Sequence, residues 1–231
     1  RLLVVAHLAI GHAAAVIGDV RNQGLLAHAL DGVEVIFHQA ARVGVGQSMY
    51  EPVRYTESNC LGTAAILDHL ANRKHRVRKL VVASSMSCCG EGAYRCPACG
   101  SSKVAPRTQE RMASGDYETP CAACGRAAAP VPTPEDHPLR PDSVYAVTKR
   151  DQEEMCLSAG RHSSVPAVAL RYFNGYGSRQ SLSNPYTGVC AIFVSRLKNG
   201  QPPLIFEDGR QMRDFVHVSD IVQANILAME N

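Results

Sequence analysis

Short apolar, β-branched runs occur at Val33 to Phe37 and at Lys79 to Ala83, each followed by small or polar residues, and a third spans Val165 to Tyr172. Such runs read as strands covered on both faces, the pattern of a parallel sheet. Helical patterns lie between them. In Tyr50 to Arg73, Leu61, Ala64, Ala65, Leu67 and Leu70 recur at helix spacing. Tyr145 to Gly160 forms a second pattern, closed by a glycine where a helix stop belongs. An amphipathic helix begins near Ser219-Asp220 and runs to the end. Strand alternating with helix means right-handed βαβ crossovers, so the expected class is α/β with a doubly wound parallel sheet.

Residues from about Tyr94 to Thr133 interrupt this rhythm, being rich in Gly, Ser, Ala, Pro and charge with no apolar periodicity. They read as a small insert leaving the loop after the Lys79–Ala83 strand. Beyond Asn174 the chain turns loop-rich, as in Ser183-Asn184-Pro185 and Gly200-Gln201-Pro202-Pro203.

Composition removes several function classes. With 45% hydrophobic and 19% charged residues, 231 residues support a packed core and not a disordered chain. No apolar run approaches the roughly 20 residues of a membrane-spanning helix. A net charge of +3 gives no electrostatic case for nucleic acid. The nine cysteines are an odd number, and five of them (Cys60, Cys88, Cys89, Cys156, Cys190) sit among apolar segments. That argues against a secreted disulfide framework and for a reducing, cytoplasmic setting.

Four constellations carry chemistry. Tyr145 and Lys149 stand four residues apart at a helix start, hence on one face. A nearby ammonium favours phenolate, so Tyr145 is expected to titrate below its usual value of about 10 and to serve as a general acid/base. Ser84 and Ser85 end the Lys79–Ala83 run, where a parallel sheet opens its ligand crevice. His38-Gln39-Ala40-Ala41 also follows a strand; it reads either as a backbone approach to a cofactor or as packing around a satisfied histidine. The fourth is Cys96-x-x-Cys99-Gly100 with Cys121-x-x-Cys124-Gly125, the layout of a zinc ribbon. Redox-active dithiols or free thiols are the other readings. Four thiolates would leave no open coordination position, so such a zinc would be structural.

Together these residues resemble the extended short-chain dehydrogenase/reductases of the NAD-dependent nucleotide-sugar epimerase/dehydratase group. The matching pieces run in order: Gly18-Asp19-Val20, His38-x-Ala40-Ala41, Asn59-x-x-Gly62-Thr63, Ser84-Ser85, the Tyr145/Lys149 pair, Leu170 to Asn174, and Arg213-Asp214-Phe215-Val216-His217-Val218-x-Asp220. The cysteine insert is similar to that of dTDP-L-rhamnose 4-epimerase-type members. The resemblance implies a Rossmann-like fold with a dinucleotide-binding domain over 1–93 and 134–173, a zinc-ribbon-like insert over 94–133 flanking the sugar pocket, and a partial substrate lobe over 174–231. It implies Ser85, Tyr145 and Lys149 as catalytic residues. It places Asp19, Ala40, Ala41, Asn59, Ser84 and Tyr172, with Tyr145 and Lys149, on NAD, and Ser85, Asn174 and Arg213 on a dTDP- or UDP-sugar. It further implies 4-epimerisation through a transient 4-keto sugar, with hydride leaving to and returning from the nicotinamide, and a homodimer built on two long helices.

The sequence departs from that family at its start. The family's G-x-x-G-x-x-G loop is not found in residues 1–18, where Val4 to Gly11 only echoes it with one glycine in place. The first βαβ segment is therefore expected to be missing, leaving NAD binding weak and NAD against NADP unreadable. A non-catalytic nucleotide-binding or zinc-ribbon scaffold is the alternative this raises. A 4,6-dehydratase ranks lower, because Met86-Ser87 stand where that chemistry places an Asp-Glu pair.

Overall fold

The computed structural model describes residues 2–9, 12–180 and 188–231. Ile10-Gly11 and Ser183-Asn184-Pro185 therefore lie outside the described residues. The chain divides into two compact units: Arg1–Cys88, Arg140–Arg179 and Phe215–Asn231 form the first, Cys89–Leu139 and Gln180–Asp214 the second.

The first unit holds a three-stranded parallel sheet in the order β3 (Val35–His38), β4 (Lys79–Ser85), β7 (Ala167–Tyr172). The register pairs His38 with Val82 and Ser85 with Tyr172, which brings the candidate polar residues to one carboxyl edge. Only the central β4 is buried along its whole length; β7 is half-buried and Phe37 of β3 is exposed. Among the described residues the flanking strands have a strand on one side only, and the expectation of burial on both faces holds for β4 alone.

Helix α1 (Gln23–Ala29), capped by Asn22, contributes Leu26 to the core beside Ile36, Leu80 and Val82. Ala65 and Ile66 of α4 (Gly62–Asn72) and Cys156 of α6 (Val144–His162) join the same cluster. The expected helix over Tyr50–Arg73 is broken into α3 (Pro52–Thr56), a π turn at Glu57–Leu61, and α4, preceded by a single turn, α2, at Val45–Ser48. The π turn adds a residue to the repeat and rotates the face. Leu61, expected in the core, is 54% exposed, and Ser58 and Asn59 are buried instead. Gly160 does not stop α6, which continues to His162. A Cβ there would lie 2.8 Å from the Ala167 amide nitrogen, so the glycine serves close helix–strand approach.

Residues before the sheet form an antiparallel hairpin, β1 (Leu2–Ala9) with β2 (His12–Gly18), which the sequence reading did not anticipate. At the other end β8 (Asn174–Tyr176) pairs in parallel with β9 (Phe215–His217), and α8 (Val218–Glu230) follows, touching β4 and β7. No helix among the described residues is long and apolar enough to cross a membrane.

The second unit contains the paired strands β5 (Tyr94–Arg95) and β6 (Ala129–Pro130), the short α5 (Gln109–Ala113), and α7 (Val189–Lys198).

Candidate functional site

Ser85, Tyr145 and Lys149 are built from β4 and α6. Ser143 caps α6 by accepting from the Ala146 N–H at 3.1 Å, and Ser48 Oγ accepts from the Tyr145 N–H at 2.9 Å, so the first turn is held at two points. The Tyr145 ring packs edge-on against buried Tyr55, centroids 6.4 Å apart. The Ser85 hydroxyl, itself hydrogen-bonded to Ser87 Oγ at 2.7 Å, lies close enough to lower the phenol pKa. Burial pushes the phenol pKa up, against the pull of Ser85. Lys149 was expected to lower it. Instead the buried ammonium donates to Gln152 Oε1 at 2.7 Å, and burial carries its own pKa down to about 8.

Ser84 and Ser85 face opposite ways, as strand periodicity requires. Ser84 Oγ donates to Glu153 Oε2 at 2.6 Å, and Glu153 in turn binds Arg171 of β7 at 2.7 Å. Asn59 spends its amide on protein: Oδ1 accepts from the Arg42 N–H at 2.7 Å, and Nδ2 donates to the Arg42 carbonyl and to Thr148 Oγ1. It thereby ties the loop after Ala40 and Ala41 to α6. Asp19 accepts three hydrogen bonds from Arg21, chiefly through its side chain, and its pKa falls to about 2. Tyr172 donates to Asn225 Oδ1 of α8 at 2.8 Å and accepts from Gln39 at 3.1 Å. Asn174 donates to Met86 Sδ at 3.6 Å. Arg213 belongs to the second unit, where its exposed guanidinium donates to the Met212 carbonyl.

Gln152, Glu153 and Asn225 complete these contacts and were not singled out from sequence, whereas His38 and Thr63 fall within motifs that were, and His38 is the satisfied histidine that one reading expects. Gln152 and Glu153 had a legible signal. They are polar residues three and four positions after Lys149, on the helix face that Tyr145 and Lys149 turn inward.

In the second unit the sulfurs of Cys96, Cys99, Cys121 and Cys124 all lie within 4.8 Å of one another. Two matching knuckles hold them. The Gly100 N–H donates to the Cys96 carbonyl and the Gly125 N–H to the Cys121 carbonyl, both at 2.9 Å. Both glycines have φ near +70° (72° and 71°), where a side chain would be strained. Cys96–Cys124 and Cys99–Cys121 are each separated by 3.6 Å, close to the edge of about 3.8 Å of a tetrahedron with 2.3 Å metal–sulfur bonds. Backbone N–H groups, first that of Ala123, pull the Cys121 thiol down to about 6. At Cys99 a backbone hydrogen bond from Ser101 acts the same way, but the neighbouring sulfurs outweigh it and push the thiol up to about 12.

The model of the NAD dependent epimerase/dehydratase family matches residues 2–112 and 118–231, and the chain belongs to that family. A Methanocaldococcus jannaschii protein, provisionally a UDP-glucose 4-epimerase, is 34% identical over 85% of this chain and 52% of its own. The dTDP-L-rhamnose 4-epimerase of Burkholderia thailandensis is 31% identical over 93% of this chain and 58% of its own. The Thermotoga maritima UDP-glucose 4-epimerase solved with UDP-glucose superposes with a TM-score of 0.68 at 27% identity, covering 92% of this chain and 58% of that one. The chain thus spans little more than half the length of these curated relatives.

Proposed function

We propose that the chain carries the acid/base site of an NAD-dependent nucleotide-sugar 4-epimerase acting on a UDP- or dTDP-sugar. The observation that carries this reading is the convergence of Ser85 and Tyr145 at the carboxyl edge of the sheet, close enough for the serine hydroxyl to lower the phenol pKa. Lys149 lies one helical turn further along the same face. Tyr145 Oη takes the proton of the sugar 4-hydroxyl and returns it, while Ser85 Oγ keeps the phenol aimed. Because burial favours the neutral phenol, proton removal requires added positive charge, and Lys149 is the chain's own source.

NAD, when bound, supplies the hydride acceptor and donor for the sugar carbon. The residues fit its nicotinamide end. Lys149 is buried and makes one hydrogen bond among the described residues, so its remaining N–H donors suit ribose hydroxyls, with Tyr172 opposite Ser85 in register. The four-cysteine cluster fits a structural zinc ion by donor type and spacing. None of the nine cysteines is joined in a disulfide, which supports a reducing, cytoplasmic setting. A homodimer is supported by Tyr50, 88% exposed, with exposed Val53 and Leu61 further along the same segment.

Tyr145→Phe in the protein carrying this chain tests the reading. Turnover of the responsive nucleotide sugar should fall by about 10²–10⁴-fold with its Kd nearly unchanged. Undiminished turnover ends the assignment.

A further inference from the structure

Three buried polar side chains meet behind Lys149 and have no part in the reaction argued above. Gln152 is 0% exposed, and its Oε1 accepts from Lys149 Nζ at 2.7 Å. An ammonium offers donors only, so the amide oxygen must face it and Nε2 must point away. There Nε2 donates to Thr63 Oγ1 at 2.9 Å and lies 3.1 Å from His38 Nε2. Thr63 sends its own proton to the Asn59 carbonyl at 2.7 Å, so its oxygen accepts both from Gln152 Nε2 and from His38 Nε2–H, 2.8 Å away. His38 is 2% exposed; burial first, and the Lys149 charge second, pull its pKa down to about 3. The neutral imidazole therefore carries its proton on Nε2 and holds the Thr63 oxygen to which Gln152 donates, so that His38 fixes Gln152 through Thr63.

The other titratable groups whose charges act on Lys149 are Cys60 of the π turn, Cys88 after β4, and Cys156 on α6. Burial raises the pKa of all three thiols, so they are uncharged at neutral pH. Among the described residues Lys149 enters no ion pair. A carboxylate at position 152 would clamp the ammonium, and an apolar side chain would leave it loose. The amide fixes its place without neutralising it.

We propose that Gln152, anchored by His38 and Thr63, is the positioning residue that sets where the Lys149 ammonium meets a cofactor or substrate hydroxyl. The inference rests on Lys149 belonging to the proposed site.

The ¹³Cε shift of Lys149 in lysine-labelled protein, followed against pH, tests it. Gln152→Glu, nearly isosteric, should raise the Lys149 midpoint by about one to three units, and Gln152→Met should lower it by about one. His38→Phe should act in the same direction as Gln152→Met, by less. Shifts indistinguishable from the parent, or of one sign in both Gln152 variants, overturn the proposal; if Gln152→Met does not fold, the Glu variant decides alone. In turnover, Gln152→Met should lose about 10–100-fold in kcat with the sugar KM within about twofold. A parent protein without turnover would sink the epimerase reading and leave the titration result standing, so the two fail separately.

Discussion

Ser84 Oγ donates to Glu153 Oε2 at 2.6 Å, joining the central strand to the helix that carries Tyr145 and Lys149. Glu153 also holds Arg171 through both carboxylate oxygens, so three elements, β4, α6 and β7, meet at one buried carboxylate. Burial alone would raise the Glu153 pKa; hydrogen bonds from Arg171 and Ser84 overcome it and the pKa is lowered. Glu153→Leu should cost about 3–5 kcal/mol, because it strands a partly buried guanidinium and a buried hydroxyl. Urea unfolding measures this. A loss within error of an ordinary surface substitution would remove Glu153 from the framework of the site.

The Ser85–Tyr145 contact has its own test. A phenol raised by burial more than the nearby serine hydroxyl lowers it should titrate above its ordinary value of 10. Removing the hydroxyl with Ser85→Ala should move it higher still. Ultraviolet difference titration against a Tyr145→Phe reference isolates this one tyrosine. A midpoint that falls in Ser85→Ala contradicts the geometry.

Much of this framework was legible in the chain. The apolar runs located β3, β4 and β7, and the Tyr-x-x-x-Lys spacing located the working face of α6. What the pattern missed has physical reasons. A π turn changes the repeat by one residue, so Leu61 matched a helical core position and yet faces out. Gly160 carried a helix-stop signal, but the backbone of Ala167 requires its missing side chain. The β1–β2 hairpin depends on antiparallel pairing that continuous apolar stretches do not encode. Ser84 and Ser85 could have been assigned opposite faces from strand alternation alone. His38 needed three-dimensional information, since only contact with Thr63 and Gln152 distinguishes a satisfied core histidine from a ligand.

His38 makes the fold acid-sensitive. Its pKa falls from 6.5 to about 3, chiefly by burial, so between these values the unfolded chain binds a proton the folded chain refuses. Stability is intact above pH 6.5 and declines as pH drops through that window, with a slope approaching about 1.4 kcal/mol per unit. Glu153 adds a second loss below about pH 4.5, where the unfolded carboxyl takes up its proton first. Thermal melts in His38→Asn should be flatter between pH 6.5 and 4.5 than in the parent. An equal decline in both would place the acid sensitivity elsewhere.

The cysteine cluster should answer to metal removal locally. Four thiols whose sulfurs lie within 4.8 Å of one another repel once they ionise, and a divalent cation removes that repulsion. Elemental analysis should find about one zinc per chain. Stripping it with a chelator should erase hydrogen-exchange protection at the two knuckles, Gly100 and Gly125, and at the short β5–β6 pairing. The core strand β4, with its partners on both sides, should keep its protection, because none of its hydrogen bonds passes through the insert. Cys121→Ser should reproduce the chelated pattern without a chelator, and added zinc should not reverse it. Full knuckle protection in a demonstrably metal-free protein would show that the ribbon orders itself, and the four sulfurs would then need another explanation.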